Sequence, residues 1–186
     1  MLVYLTTDQH AVIAAACERL IPADESPGAA GAGAADYIDG LLGAFCFDPP
    51  RVWAGGPFSG RAGGEAGFAE FIPLDPLDEL AWRTRIEGSK GLAEREWNGP
   101  VIGLQERYQD GVAAIGADFA ALEAEDQDGR LEAVPEFRSL LYEHACEAMY
   151  GAPEYGGNRD LAGWRSIGFG GDVQPRGWTP EEVSEP

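Results

Sequence analysis

The stretch TTDQHAVIAAACERL, residues 6–20, decides the fold class because it carries both the start and the periodicity of a helix. Thr6 and Gln9 match a capping box, in which each side chain bonds the backbone N–H of the other residue. Pro22 ends the helix, because proline cannot continue the backbone hydrogen-bond pattern. Apolar residues recur at spacings of three and four and form one stripe, which comprises Val12, Ile13, Ala16, Cys17 and Leu20. The stretch therefore predicts an amphipathic helix with one buried face.

Four more helices are predicted further along the chain from the same periodicity. They cover about 34–45, Pro76 to about Gly88, about Pro100 to Leu122, and Pro135 to Gly151. The acidic segment 125–129, which ends in a glycine, is predicted to form the turn before the last helix. No internal repeat and no convincing strand pair is present. The sequence thus predicts an all-α fold, a single domain over residues 1–186, built as a small bundle of about five helices.

The segment over about 46–75 differs from the predicted helices because it is rich in Gly and Pro and has no sustained period. It also carries several aromatic residues, among them Trp53 and Phe58. A loop this long inside a compact domain is usually functional or unstructured, and aromatic residues are enriched at partner surfaces. We interpret the segment as an interface arm. The alternative is a loop that folds over its own core.

The stretch MYGAPEYGGNRDLAGWRSIGF, residues 149–169, joins the end of a helix to a glycine turn and two large aromatic residues. Two glycines followed by Asn158 allow backbone angles that residues with a bulky Cβ avoid. Such a turn is costly in conformational entropy, so it suggests a specific role. No set of acid, base and nucleophile accompanies it. The stretch opens a C-terminal segment over about 150–186, expected to be extended, and it favours recognition over catalysis.

Composition excludes several classes of partner. Hydrophobic content of 45% and aromatic content of 10% are typical of a folded globular protein. The formal net charge of -19 argues against nucleic-acid and anionic-membrane binding, because both need basic patches. No apolar run approaches the ~18 residues of a membrane span. No signal peptide is visible at the start of the sequence. We therefore expect a cytoplasmic protein, or a periplasmic or exported one if it was processed or travels with a partner that carries the signal.

Few groups are suited to catalysis or metal binding. The three cysteines are an odd number without a C-x-x-C pair, which argues against a disulfide framework and a zinc site. Cys17 and Cys146 lie at helical spacing among apolar residues, so both are expected to be buried structural thiols. His10 is read as an exposed residue of the first helical turn. His144 lies beside the apolar stripe of the last helix, which favours a hydrogen-bonded structural histidine over a catalytic base.

Two runs imitate ligand-binding loops but fail on their spacing. The acidic run 126–129 would place Ala124 and Pro135 at the first and last ligand positions of an EF-hand loop, where carboxylates are required. The glycine pair ahead of the second helix has no preceding strand, and Asp36 stands where a third glycine would be. A carboxylate at that helix start would repel a pyrophosphate. Neither run predicts a ligand site.

Two segments of the chain resemble the gluconate 2-dehydrogenase subunit 3 family. The first is Leu5 to Leu42, which contains the L-I-P-x-D motif at 20–24. The second is Leu140 to Phe169, in which Y-G-G-N is followed by G-W-x-x-I-G-F, the more specific mark. The run GGPFSGR at 55–61 resembles the sequences of those family members that are associated with glucoside or pyranose dehydrogenases.

The resemblance implies a non-catalytic small subunit. Its partner would be a large subunit similar to glucose-methanol-choline oxidoreductases, which holds FAD and oxidises a sugar, glycoside or alcohol. A further electron-transfer subunit can belong to such complexes. The resemblance implies a role in stabilising or maturing the large subunit, with no cofactor in this chain. Small subunits of this family often carry a twin-arginine export signal, and no Arg-Arg pair stands before Leu5.

The residues expected at the partner interface come from the two irregular segments. They are Trp53, Phe58, Arg61, Tyr155, Gly156, Gly157, Asn158, Trp164 and Phe169. Ordinary core packing is the alternative for each aromatic residue, and helical spacing from Leu161 and Ile167 favours the core for Trp164. Two other functions stay open: an independent small-molecule or sugar-binding module, and a stand-alone enzyme whose sugar pocket is lined by the turn at 155–158.

Overall fold

The computed structural model describes residues 1–53 and 71–170, and the chain in these ranges is helical, without strands. The α-helices are α1 (Thr7–Leu20), α2 (Ala34–Leu42), α3 (Pro76–Glu87), α4 (Leu104–Ile115), α5 (Ala124–Glu132), α6 (Pro135–Tyr150) and α7 (Ala162–Ser166). Single-turn 3₁₀ helices lie between them at Ala44–Cys46, Ala93–Arg95, Phe119–Ala121, Pro153–Tyr155 and Arg159–Leu161. The predicted all-α class is confirmed. Residues 54–70, the centre of the predicted interface arm, lie outside the described part.

Three predicted helices match the structure closely. Helix α1 begins at the predicted capping box, because the Gln9 N–H donates to Thr6 Oγ1 at 3.2 Å and the Thr6 N–H donates to Gln9 Oε1 at 3.0 Å. Helices α3 and α6 start at Pro76 and Pro135, where proline fits because the first helical N–H has no partner within the helix. These boundaries were predictable because their signals are local.

Other boundaries were predicted wrongly. The segment 125–129 is part of α5 and not a turn, since its acidic residues suit the first turn of a helix and Gly129 is tolerated inside it. Helix α4 ends at Ile115, before the predicted Leu122, because Gly116 adopts a φ of 91°. Helix α2 stops at Leu42 and continues as a 3₁₀ turn. The additional helices α5 and α7 give seven α-helices in residues 1–53 and 71–170, where about five were expected for the chain.

Helix α1 is the centre of the bundle and contacts α2, α4, α5 and α6. Its stripe packs against large side chains from all four partners, and burial of each contributes about 1.5–3 kcal/mol. Fully buried members of this core include Ile13, Ile38, Leu42, Ile86, Tyr108, Ile115, Phe119, Leu131 and Leu141. Helix α7 packs against the end of α6. No helix in the described ranges is both long and apolar enough to cross a membrane.

Two pairs of hydrogen-bonded side chains lie in or beside the core. The Tyr108 hydroxyl lies 2.8 Å from Nδ1 of His144, and the Tyr37 hydroxyl donates to Oε2 of Glu147 at 2.7 Å. His144 is fully buried, so the prediction of a hydrogen-bonded structural histidine is confirmed. Burial lowers the pKa of His144 to about 4. Cys17 is buried as predicted and burial raises its pKa to about 12, whereas Cys146 is only half-buried.

Close helix packing depends on Gly111 in α4, and this makes a first prediction. A Cβ at Gly111 would lie 2.2 Å from Cδ2 of the Phe137 ring, whereas a Cβ at Gly129 in α5 would meet nothing within 4 Å. Alanine favours helices over glycine by about 1 kcal/mol, but overpacking costs about 1–3 kcal/mol. We expect Gly111→Ala to lower the unfolding free energy and Gly129→Ala to raise it, measured by urea denaturation. Equal stabilisation by both substitutions would contradict this packing.

The buried His144 predicts a specific pH dependence. The pKa is about 4 in the folded chain and 6.5 in the reference state, so the unfolded chain binds more protons between these values. Stability should therefore fall as the pH drops from 6.5 towards 4, by on the order of 2 kcal/mol at pH 5 relative to pH 7. His144→Gln should remove this component, measured as the difference between the two stability–pH curves. Parallel curves for wild type and variant would show that His144 titrates normally.

Candidate partner interface

The turn at 155–158 closes the C-terminal end of α6. The last carbonyls of a helix have no partner within it and must be satisfied from elsewhere. The Asn158 N–H donates to the Ala148 carbonyl at 2.6 Å, and its Nδ2 donates to the Gly151 carbonyl at 3.0 Å. Its Oδ1 accepts from the N–H of Gly163 at 3.0 Å. Asn158 is fully buried, so one side chain joins the end of α6 to the start of α7.

The two glycines of the turn serve different purposes. Gly156 has a φ of 99° and Asn158 a φ of 46°, so both are left-handed as their residue types allow. Gly157 does not have a left-handed φ. A Cβ there would lie 2.3 Å from the Ala148 carbonyl oxygen, so glycine is needed for close approach to α6. The unusual backbone expected from the sequence is therefore present, but at Gly156 and Asn158.

Trp164 completes the cap of α6. Its Nε1 donates to the Tyr150 carbonyl at 2.8 Å, and its side chain is only 4% exposed. Phe169 packs edge-on against the Trp164 ring with centroids 4.9 Å apart and remains 43% exposed. The preference of Trp164 for the core is confirmed. After α6 the chain forms two 3₁₀ turns and then α7, which ends at Ser166. The described part continues to residue 170, and residues 171–186 lie outside it.

Asp36 ties the turn to the N-terminal half of the chain. Its carboxylate forms an ion pair with the Arg159 guanidinium and accepts from Nε2 of His10 at 2.8 Å. The Arg159 N–H also donates to the Ala32 carbonyl at 3.0 Å. These contacts bring together the two segments on which the family resemblance rests. They also show that His10 is half-buried and partnered, which sequence reasoning did not anticipate.

A second aspartate, Asp39, fixes the start of the chain beside the turn. It is 4% exposed and accepts backbone N–H groups of Val3 at 2.7 Å, Tyr4 at 2.9 Å and Leu5 at 2.7 Å. Sequence reasoning missed this residue. The available signal was an acid on the apolar face of α2, next to Ile38, where a buried carboxylate requires hydrogen-bond donors.

The two ends of the predicted interface arm, at Trp53 and Phe71, lie near Tyr155 of the turn. Phe71 packs edge-on against Tyr155 with centroids 5.8 Å apart, and the Ile72 N–H donates to the Trp53 carbonyl at 3.0 Å. A groove of about 270 Å³ runs between the first three residues and Tyr155. A smaller cavity of about 120 Å³ beside it is lined by Tyr37, Leu41, Arg51, Val52, Trp82 and Tyr155. We call this region, from Trp53 and Phe71 to Tyr155, the turn surface.

The predicted interface residues divide by exposure. Trp53 is 42% exposed, and Phe169 and Gly156 are also exposed, while Tyr155 is half-buried. Three of the predicted residues are buried inside the protein and contribute to the packing beneath the turn: Gly157, Asn158 and Trp164. Phe58 and Arg61 lie outside the described residues. Whether the exposed members contact a partner stays a prediction.

The turn surface carries little that could perform chemistry. In the part of the chain that the structure describes, no three His, Cys, Asp or Glu side chains lie together as they would around a metal ion. Beside the turn, the Asp36 carboxylate pairs with both His10 and Arg159. What the arrangement offers is a rigid, partly aromatic surface, which is suited to recognition.

The cap of α6 predicts that replacing Asn158 by aspartate lowers stability more than replacing Asn98 does. Asn158→Asp replaces a donor by a carboxylate among the helix-end carbonyls, so a buried hydrogen bond is lost at a cost of about 1–3 kcal/mol. Asn98 is exposed, and Asn98→Asp should change stability by less than about 0.5 kcal/mol. Chemical denaturation of both variants measures the difference. A stability of Asn158→Asp equal to that of Asn98→Asp would show that the cap is unimportant.

Comparison with known proteins gives one match. The family model described as Gluconate 2-dehydrogenase subunit 3 matches residues 7–171. Searches of curated proteins and of solved structures found no match. The matched range includes α1 to α7 and the turn at 155–158. Because the match covers most of the 186 residues, the chain belongs to the gluconate 2-dehydrogenase subunit 3 family.

Proposed function

We propose that this chain is the non-catalytic small subunit of a flavin-dependent dehydrogenase complex. It binds and stabilises a large subunit of the glucose-methanol-choline type, which holds the FAD and oxidises a sugar, glycoside or alcohol. An electron-transfer subunit is a further candidate partner. Membership of a family named for a dehydrogenase subunit supports a role inside an enzyme complex.

The observation that carries the proposal is the construction of the turn surface. Asn158, Trp164 and Asp36 hold its backbone with hydrogen bonds and ion pairs. Partly exposed aromatic residues, among them Trp53 and Tyr155, lie on this surface. A surface ordered before binding loses less conformational entropy on association, and aromatic anchors dominate the binding energy of interfaces. The most specific family motif is therefore used to present a recognition surface.

The excess of acidic residues in the chain supports a protein partner whose docking surface is basic. Thirty-two acidic residues oppose 13 basic ones. A partner with basic groups around its docking site would be attracted over a distance set by the ionic strength, about 8 Å at physiological salt. Salt should then slow association more than it speeds dissociation.

Co-purification tests the proposal directly. We expect this chain to form a soluble complex when co-expressed with an FAD-containing oxidoreductase of the glucose-methanol-choline type from the same organism. Trp53→Ala should weaken the complex by roughly tenfold or more, because a partly exposed tryptophan is a typical anchor. Tyr142→Ala is the matched control, since Tyr142 is 52% exposed and lines a cavity with residues of α1 and α5 that shares no residue with the cavities of the turn surface. Calorimetry or surface plasmon resonance gives both affinities.

Three outcomes would overturn the proposal. A stable lone chain that ignores the flavoprotein would exclude a small-subunit role. Turnover of a sugar by the isolated chain, free of flavoprotein, would identify a stand-alone enzyme. Heat released on mixing the isolated chain with simple glycosides would identify a sugar-binding module.

A further inference from the structure

A second surface lies where α3, α4 and α6 meet. Two neighbouring cavities of about 370 and 550 Å³ share Ile102, Arg107 and Leu140 in their walls. Ala81 and Arg85 of α3 border the smaller cavity, and residues 134–137 border the larger one. We call these two cavities, together with the ridge at Ile102 between them, the α4 groove.

The ridge is held in place by a crossing of two glycines. A Cβ at Gly103 would lie 2.3 Å from the backbone nitrogen of Gly88, so the two chain segments touch at this point. The Ser89 N–H donates to the Val101 carbonyl at 2.9 Å and continues the contact. As a result Ile102 is fixed in an exposed position, with 63% of its side chain accessible. An exposed apolar side chain on a well-fixed backbone, next to a cavity, is a candidate contact for a partner.

The floor of the groove is apolar. Leu140 is 5% exposed and Phe137, packed over Gly111, is 7% exposed. Val101 extends the apolar surface at 40% exposure, and the connection from α3 to α4 also carries Trp97 at 89%. Exposed apolar residues that cluster beside a cavity are typical of interaction sites, whereas scattered ones need no explanation.

The charges around the smaller cavity select the chemistry of its occupant. Arg85 and Arg107 both line it, and within the described ranges neither forms an ion pair, although the chain has 32 acidic residues. Glu143 lines the same cavity and lies within ion-pair distance of neither arginine. The smaller cavity thus carries one net positive charge, whereas the acidic Asp110 and Glu136 line the larger cavity. A carboxylate is therefore expected in the smaller cavity, where two guanidinium groups are available to pair with it.

Helix α3 joins the groove to the turn surface. Trp82 lines the small cavity beside Tyr155, and the Arg85 guanidinium lies 5.3 Å from the centre of the Trp82 ring. The two surfaces therefore lie on neighbouring faces of one helix. A partner that covers the turn surface can reach the groove, and the two together offer more area than the turn surface alone.

We propose that the α4 groove receives an apolar segment of the large subunit that carries a carboxylate, which pairs with Arg85 and Arg107 while apolar side chains pack against Ile102 and Leu140. The proposal rests on the proposed function, because it assigns a second contact region to the same partner. The groove is a separate surface from the family motif, and the proposal adds a chemistry for the segment that binds there.

Photo-cross-linking in the co-purified complex tests the location. Ile102→p-benzoylphenylalanine and, separately, Trp53→p-benzoylphenylalanine are irradiated, and the linked peptides are identified by mass spectrometry. The proposal expects position 102 to link to a large-subunit peptide that contains Asp or Glu between apolar residues. Cross-links from position 53 alone would overturn the groove and leave the small-subunit function standing. Links from position 102 to a second copy of this chain would also overturn it.

Charge reversal tests the chemistry. Arg107→Glu and Arg85→Glu should each weaken the complex at least tenfold, because the carboxylate of the partner would then face a glutamate that repels it in place of an arginine that pairs with it. Arg138→Glu is the control: it makes the same charge change on α6, in a cavity that faces α1 and α5. Equal weakening by all three variants would indicate a general charge effect and contradict the groove. If wild-type protein forms no complex at all, the proposed function fails and the groove proposal fails with it.

Discussion

The capping of α6 by Asn158 is the interaction on which the rest of the C-terminal structure depends. A helix end buried against other elements must find donors for its carbonyls, and each one left unpaired costs about 1–3 kcal/mol. Asn158 and Trp164 supply these donors to Ala148, Gly151 and Tyr150. Because the donors come from beyond the helix, the chain must return across its end. That return sets the position of α7 and of Tyr155.

The same return joins the segment after α6 to the first two helices. Arg159 follows the cap directly and reaches Asp36 on α2, which also holds His10 on α1. Asp39, one turn further along α2, binds the first residues of the chain. A surface assembled from segments far apart in sequence resists local opening, because no part can leave without breaking ionic and hydrogen bonds elsewhere. Such order suits a subunit whose function is to hold another protein.

Local features were readable from the sequence and long-range ones were not. The capping box at Thr6 and the prolines that open α3 and α6 act over three or four residues, so helix starts were predicted well. Asp39 was missed because its partners lie more than 30 residues away in sequence. The turn was recognised from its glycines, but only the fold shows that Gly157 is required for contact with α6. The α4 groove arises from a crossing at Gly103 that has no periodic signal.

Hydrogen exchange, measured on the free chain and on the complex with the FAD-containing oxidoreductase, tests most directly whether this scaffold presents a partner-binding surface. In the free chain the amides of Asn158 and Gly163 should exchange as slowly as those inside α6, because they belong to its cap. In the complex, additional protection should appear in peptides covering 71–73 and 153–156. Protection confined to α5 and the α1 face beside it, or no change on mixing, would contradict a docking role for the turn surface.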